Sequence, residues 1–186
     1  MQFPGTRAYT ARMTEPLSTH PTDALIRALI ASPRPATPDE TAQIIARMAT
    51  APFNSQVRRI PAQQRGLMYE GQPLGAQTDA LTQHLFQRVL IDEQWAPGTT
   101  ATRYLADIRS AVVMPSARLL VFFRQGVHIA ATITATNRIF PPMRAGANAL
   151  ANTIVVYSAD RGTLLTGYQF TDLSDLNLPE DVQWLK

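Results

Sequence analysis

Residues 153–170 constrain the fold more than any other part of the chain. Two apolar runs, 153–157 and 164–170, lie on either side of a polar turn that contains glycine. This pattern is typical of a β-hairpin, in which two consecutive strands pair in antiparallel fashion. Because side chains alternate between the two faces of a strand, we expect Thr166 and Tyr168 to leave the same face.

Residues 118–136 repeat this pattern. A run with strand character extends from 118 to 124, the dipeptide Gln125-Gly126 follows, and a second run extends from 127 to 136. Two such runs separated by two residues, the second of them glycine, predict a tight hairpin. The sequence therefore predicts four strands in two hairpins.

The residues before the hairpins favour helices. Thr37 is followed by Pro38 and by Glu40, the arrangement of a capping box with proline in the first turn, and the helix is expected to end near Thr50. Helices are predicted over four ranges: 24–31, 38–50, 78–93 and 101–112.

Helices followed by strands indicate an α+β protein. We expect N-terminal helices packed on a four-stranded antiparallel sheet made of two hairpins. Along the chain, the composition divides the protein into four parts: a loose N-terminal arm (1–20), a helical and irregular subdomain (21–77), an α+β core (78–170) and an acidic C-terminal tail (171–186).

The composition excludes several classes of site. The chain of 186 residues has no cysteine, so disulfides, thiolate metal sites and a cysteine nucleophile are excluded. The three histidines are widely spaced, and no glycine-rich phosphate loop is present, so we expect no bound metal and no cofactor. No apolar stretch is long enough to cross a bilayer and no secretory signal is evident, so we expect a cytoplasmic protein without a membrane partner.

Residues 109–169 carry an excess of positive charge. Residues 109–169 contain six arginines and a single carboxylate, Asp160, and the only lysine of the chain is Lys186. A genome that favours arginine codons would explain the choice of residue. The local excess of positive charge would also attract a polyanion, and the planar guanidinium group binds phosphate through two hydrogen bonds.

The third predicted helix carries the first candidate site. His84 and Arg88 are four residues apart and so share one helical face, whereas Leu81, Leu85 and Val89 are expected to point into the core. Phe86 and Leu90 are further apolar positions of this amphipathic helix. One interpretation makes His84 a proton shuttle and Arg88 a group that stabilises charge on a phosphate. The other makes them a hydrogen-bonded histidine and a solvated arginine with no catalytic role.

The predicted sheet carries the second candidate site. If the strand register brings His128 onto the face of Thr166 and Tyr168, the sheet has a polar band bordered by Arg118 or Arg124. Such a band would suit a phosphodiester. It would equally suit an ordinary antiparallel sheet with one wetted face, because threonine and tyrosine are common strand residues.

This arrangement resembles the ribonuclease toxin fold shared by barnase, EndoU, colicin-type tRNases and RelE. It is most similar to the RNase A-like toxin domains of contact-dependent inhibition systems, which have a histidine on an early helix and end in a Thr-x-Tyr strand. The matching positions are His84, Thr166 and Tyr168, and the resemblance covers roughly residues 78–170. The segment 157–162 also resembles uncharacterised bacterial proteins.

The resemblance implies a metal-independent endoribonuclease that acts on RNA phosphodiesters by acid–base catalysis. RNA is then the expected partner, together with a cognate protein partner or inhibitor. Two histidines would transfer protons, arginines would stabilise the phosphate, and the Thr-x-Tyr hydroxyls would orient it. The expected catalytic residues are His84, His128, Thr166 and Tyr168, and the expected substrate-binding residues are Arg88, Arg118 and Arg124.

Two other functions remain open at this stage. One is a non-catalytic binding module that uses the arginine-rich sheet face for a nucleic-acid or protein partner. The other is a structural interaction protein whose helical N-terminal half docks onto a larger assembly.

Overall fold

The computed structural model describes residues 16–69, 71–139 and 148–186. Most of the predicted loose arm and half of the loop that joins the two predicted hairpins therefore lie outside the described residues. Within the described ranges the α-helices are α1 (Pro21–Ala31), α2 (Pro38–Thr50), α3 (Ala80–Phe86) and α4 (Ala101–Val113). The strands are β1 (Val57–Arg59), β2 (Met68–Tyr69), β3 (Gln72–Pro73), β4 (Gln77–Asp79), β5 (Arg118–Arg124), β6 (Val127–Ala135), β7 (Asn152–Ser158), β8 (Thr163–Phe170) and β9 (Gln183–Trp184).

The main sheet has five antiparallel strands in the order β8-β7-β6-β5-β9. The α+β class and the antiparallel sheet are confirmed, but the expected total of four strands is wrong. The fifth strand comes from the acidic tail, where Trp184 pairs with Leu120 and Gln183 with Val121. A strand of two residues has no period that a sequence pattern can reveal. The short strands β1–β4 form two further antiparallel pairs.

Both hairpin predictions are confirmed in position. The β5–β6 turn consists of Gln125 and Gly126, with φ angles of 50° and 81°. Positive φ at both central residues is the geometry that matches the twist of paired strands. The β7–β8 hairpin turns over residues 159–162.

The helices pack on one face of the main sheet. Ile26 of α1, Ile44 of α2 and Ile108 of α4 belong to one buried cluster with Val121 and Ala130 of the sheet. The predicted segments 21–77 and 78–170 thus contribute to the same core. A second, smaller apolar cluster lies on the opposite face of the sheet, where the C-terminal residues cover part of it.

Two of the predicted helices differ from expectation in detail. Helix α1 begins at Pro21, earlier than expected, and its cap is His20, whose Nδ1 accepts the Thr22 N–H at 3.2 Å. Helix α3 ends at Phe86 and continues as a π-helical turn, Gln87–Ile91. This wider turn rotates the following residues.

Leu90, an apolar position of the predicted amphipathic helix, lies in the π-helical turn and is 42 % exposed. The turn is closed by a hydrogen bond from the Asp92 N–H to the Gln87 carbonyl, which spans five residues. The π-helical turn is a short irregularity inside a segment whose apolar spacing is otherwise that of an α-helix. The spacing of apolar residues alone did not reveal it.

Strand β8 lies at the edge of the sheet, and other segments cover that edge. Asn54 donates its N–H to the Leu164 carbonyl at 2.8 Å, and a register shift then follows between β7 and β8. Beyond the shift, the Tyr104 hydroxyl donates to the Gly167 carbonyl and accepts the Gly167 N–H, at 2.7 and 3.0 Å. These contacts satisfy backbone groups that an open edge would offer to another strand.

Gly167 allows α4 to approach β8 closely. A Cβ atom at this position would lie 2.5 Å from Ile108 Cγ2, closer than carbon atoms can pack. Glycine within a strand often permits another part of the chain or a ligand to approach closely. The group that approaches is the helix of the same chain.

Candidate functional site

His84 lies where α3 meets the edge strand β8. Its Nδ1 is 3.3 Å from Thr166 Oγ1, and the edge of its ring packs against Phe53 with the ring centroids 5.6 Å apart. The side chain is half-buried. The predicted pair of His84 and Thr166, which are 82 residues apart in the sequence, is therefore in direct contact.

Arg88 lies on the π-helical turn that follows α3. Its guanidinium group stands over the ring of Tyr168, 4.9 Å from the ring centroid, and forms a salt bridge with Asp92. The backbone carbonyl of Arg88 accepts the N–H groups of Gln94 and Trp95 at 2.8 and 3.2 Å, which fixes the turn. The turn thus presents Arg88 to β8.

Arg58 is the member of this site that the sequence interpretation missed. Strand β1 pairs with β4, so that Arg58 faces Thr78 just before α3 begins. Its charge acts on His84. The register of two strands of three residues each carries almost no sequence signal, and nothing in the chain pattern pointed to Arg58.

We call the group Arg58, His84, Arg88, Thr166 and Tyr168 the edge cluster. Burial, together with the positive charges of Arg88 and Arg58, lowers the pKa of His84 from 6.5 to about 4. The imidazole is therefore neutral at neutral pH, and the charges of two arginines act on it. The Nε atoms of both arginines are buried without a hydrogen-bond partner among the described residues.

Tyr168 links the edge cluster to the other face of the sheet. Burial raises the pKa of its hydroxyl, and the charges of Arg88 and Arg124 partly oppose this effect. The phenol is consequently protonated at neutral pH and can donate a hydrogen bond. Arg124 lies on the far side of Tyr168 from α3 and helps to line a cavity there.

His128 makes its contacts outside the edge cluster. Its ring Nδ1 and its backbone N–H each lie 2.9 Å from an oxygen of Asp160, and Phe123 packs against the ring with centroids 4.8 Å apart. None of these partners belongs to the edge cluster. The structure thus separates His128 from His84 in its contacts.

The strand register gives the size of this separation. Thr166 faces Val156 on the neighbouring strand, and Val156 faces Ala131 on the next. His128 is three residues further along that strand. Two strand spacings across and three residues along place His128 and Thr166 about 14 Å apart at their Cα atoms.

Arg118 also lies away from the edge cluster. Its guanidinium group stacks on the indole of Trp184, 3.8 Å from the ring, beside β9. Strand β5 is separated from β8 by two other strands. Of the seven residues predicted for the site, His84, Arg88, Thr166 and Tyr168 come together, Arg124 adjoins Tyr168, and His128 and Arg118 lie elsewhere.

A second polar group lies beneath the β7–β8 hairpin and has the buried residues Asp23 and Tyr157 at its centre. The carboxylate of Asp23 has no exposed surface and accepts hydrogen bonds from Ser18, Arg47 and Tyr157. Burial and the neighbouring Asp23 carboxylate raise the pKa of the Tyr157 hydroxyl. This group ties α1 and α2 to the hairpin, where Arg47 also donates a hydrogen bond to the Gly162 carbonyl at 3.3 Å.

Within the described ranges, no three histidine, aspartate or glutamate side chains lie close enough together to hold a metal ion. None of the helices in these ranges has the length and hydropathy of a bilayer-spanning segment. No family model matches the chain, and neither a curated protein nor a solved structure is significantly similar to it.

Proposed function

We propose that the edge cluster binds a phosphodiester group of RNA and that the protein cleaves it by metal-independent acid–base catalysis. The observation that carries this proposal is the contact between a neutral imidazole and a hydroxyl, with two guanidinium groups acting on the same imidazole. A neutral imidazole can accept a proton, and cations stabilise the charge that develops on the phosphate.

The 2′-hydroxyl of RNA supplies the nucleophile. With the Nδ1 proton of His84 donated to Thr166 Oγ1, Nε2 keeps the lone pair that accepts the 2′-hydroxyl proton. The 2′-oxygen then bonds to phosphorus and the bond from phosphorus to the 5′-oxygen breaks. Tyr168, rather than the distant His128, donates a proton to the leaving oxygen, and Arg88 and Arg58 stabilise the crowded phosphate.

A second function draws on the same residues. A non-catalytic module that binds RNA would use the two guanidinium groups and need no proton transfer. The low pKa of His84 favours this alternative, because a base whose pKa is about 4 accepts a proton weakly at neutral pH. The two functions agree on the place where RNA binds and differ in the fate of the RNA.

Binding of a short fluorescent single-stranded RNA tests the shared claim. We expect Arg88→Gln to weaken binding about tenfold and to lower the slope of log affinity against log salt by about 0.7, the value for one phosphate contact on a single strand. Circular dichroism checks that the variant is folded, since Arg88 also pairs with Asp92.

Arg118→Gln is the matched control, because Arg118 is stacked on Trp184 away from the edge cluster. We expect its affinity and salt slope to equal those of the unmodified protein. If instead Arg118→Gln weakens RNA binding and Arg88→Gln does not, RNA binds the outer strands of the sheet and the proposal is wrong.

A further inference from the structure

The sheet has a cavity on the face opposite the helices. Its volume is about 260 Å³, slightly below the range of roughly 300–1,000 Å³ typical of small-molecule sites. The floor consists of apolar side chains of β5–β8, among them Ile129, Val156 and Leu165, and Leu176 and Leu178 from the C-terminal region close one side. A ligand of this cavity is therefore small and largely hydrophobic.

Among the described residues, three polar side chains line the cavity, those of Arg124, Gln125 and Tyr168. Arg124 is the only charged residue that lines it, and it forms no ion pair among the described residues. Its one hydrogen bond, from Nη1 to the Leu176 carbonyl, is long at 3.4 Å. Tyr168 brings a protonated phenol to the same cavity.

We propose that this cavity binds a hydrophobic monocarboxylic acid. The hydrocarbon part of the acid fills the apolar floor, and the carboxylate accepts hydrogen bonds from the Arg124 guanidinium and the Tyr168 hydroxyl. A guanidinium group without a carboxylate partner, at the rim of an apolar cavity, is complementary to a ligand with a single negative charge and an apolar body.

Other ligand classes fit less well. A neutral hydrocarbon would leave the Arg124 charge unused, and an amine would be repelled by it. A nucleotide would bring ring nitrogens and hydroxyls into a floor that offers them no hydrogen-bond partners, and an unpaired buried polar group is costly. The inference shares Tyr168 with the proposed cleavage step, but it rests mainly on the cavity and on Arg124, which that step does not use.

Calorimetric titration with octanoate, 1-octanol and octylamine tests the proposal. We expect the full-length protein to bind octanoate at least about tenfold more tightly than 1-octanol, since a charge-assisted hydrogen bond distinguishes the two. Octylamine is expected to bind more weakly than 1-octanol. Amide NMR shifts on octanoate binding should centre on β5–β8 at the cavity.

Arg124→Gln is expected to remove the preference for octanoate and to leave 1-octanol binding unchanged. Arg118→Gln is the matched control, since Arg118 lies on the same strand and the same face but contacts Trp184. It should retain the octanoate preference. Val156→Phe, which fills part of the cavity, should weaken both ligands.

Three results would overturn the proposal. The first is equal binding of octanoate and 1-octanol, or a preference that survives Arg124→Gln. The second is the absence of binding by both ligands at millimolar concentration. The third is displacement of octanoate by uridine or adenosine at lower concentration, which would identify the cavity as a nucleobase site.

Discussion

Replacing Asp23 by alanine is expected to lower the free energy of unfolding by about 3–5 kcal/mol, the usual cost of breaking a buried ion pair. Asp23 is completely buried and accepts hydrogen bonds from Ser18, Arg47 and Tyr157. Without the carboxylate, the guanidinium group and the phenol lose their partner in an environment with little water. Urea unfolding followed by circular dichroism measures the loss.

The control for this prediction is Asp181→Ala, which removes an exposed carboxylate. We expect it to change the free energy of unfolding by no more than about 0.5 kcal/mol. The double variant of Asp23→Ala with Arg47→Ala should cost less than the sum of the single variants, because the second change removes a charge already left unpaired. Equal, small effects for Asp23→Ala and Asp181→Ala would show that the buried group does not hold the hairpin.

Replacing His84 by alanine is expected to lower the rate of RNA cleavage by about 10²–10⁴-fold, the usual contribution of a positioned general base. The assay uses a mixed RNA pool in EDTA, with a 2′-deoxy substitution at the cleaved position as a negative control. The pKa of His84, lowered to about 4 by burial and by the neighbouring arginines, sets the pH dependence. As the pH rises through about 4 the imidazole loses its proton, so kcat/KM should rise there rather than near 6.5.

His128→Ala is the control for the cleavage prediction. His128 contacts Asp160 and Phe123, outside the edge cluster, and its removal should leave the rate unchanged. Intact RNA after incubation with the unmodified protein would favour the binding module. Cleavage that survives His84→Ala but is lost in His128→Ala would place the chemistry at the other end of the sheet.

The local parts of this fold could be predicted from the sequence. Three local features depend on residues that are neighbours in the chain. They are the Gln125-Gly126 turn, the capped helix that starts after Thr37 and the strand that contains Thr166 and Tyr168. The sequence pattern did not predict the π-helical turn before Asp92 or the two-residue strand that ends at Trp184. Each is shorter than the window in which a hydrophobic period can be recognised.

The site was predictable to a smaller extent. The helical face shared by His84 and Arg88 follows from a spacing of four residues, but the approach of that face to Thr166 depends on how α3 meets β8. The same limit explains the wrong neighbourhood expected for His128. Alternation within a strand assigns a side chain to a face, whereas its distance from a residue two strands away depends on non-local register.

Arg58 is a further residue whose place in the site depends on non-local strand pairing. Its charge acts on His84, and its position is set by the pairing of two strands of three residues each just before α3. Glycine within a strand allows a close approach, and at Gly167 the approaching residue is Ile108 of α4. A packing requirement therefore explains this glycine without any role for a ligand.

An NMR titration of the histidine rings with a short single-stranded RNA tests the central claim most directly. We expect the pKa of the His84 ring to start at about 4 and to rise on saturation, because a bound phosphodiester stabilises the imidazolium form. The ring resonances of His128 should stay unchanged. If saturating RNA leaves the His84 resonances and pKa unaltered, the edge cluster does not bind the phosphodiester, and the account is wrong.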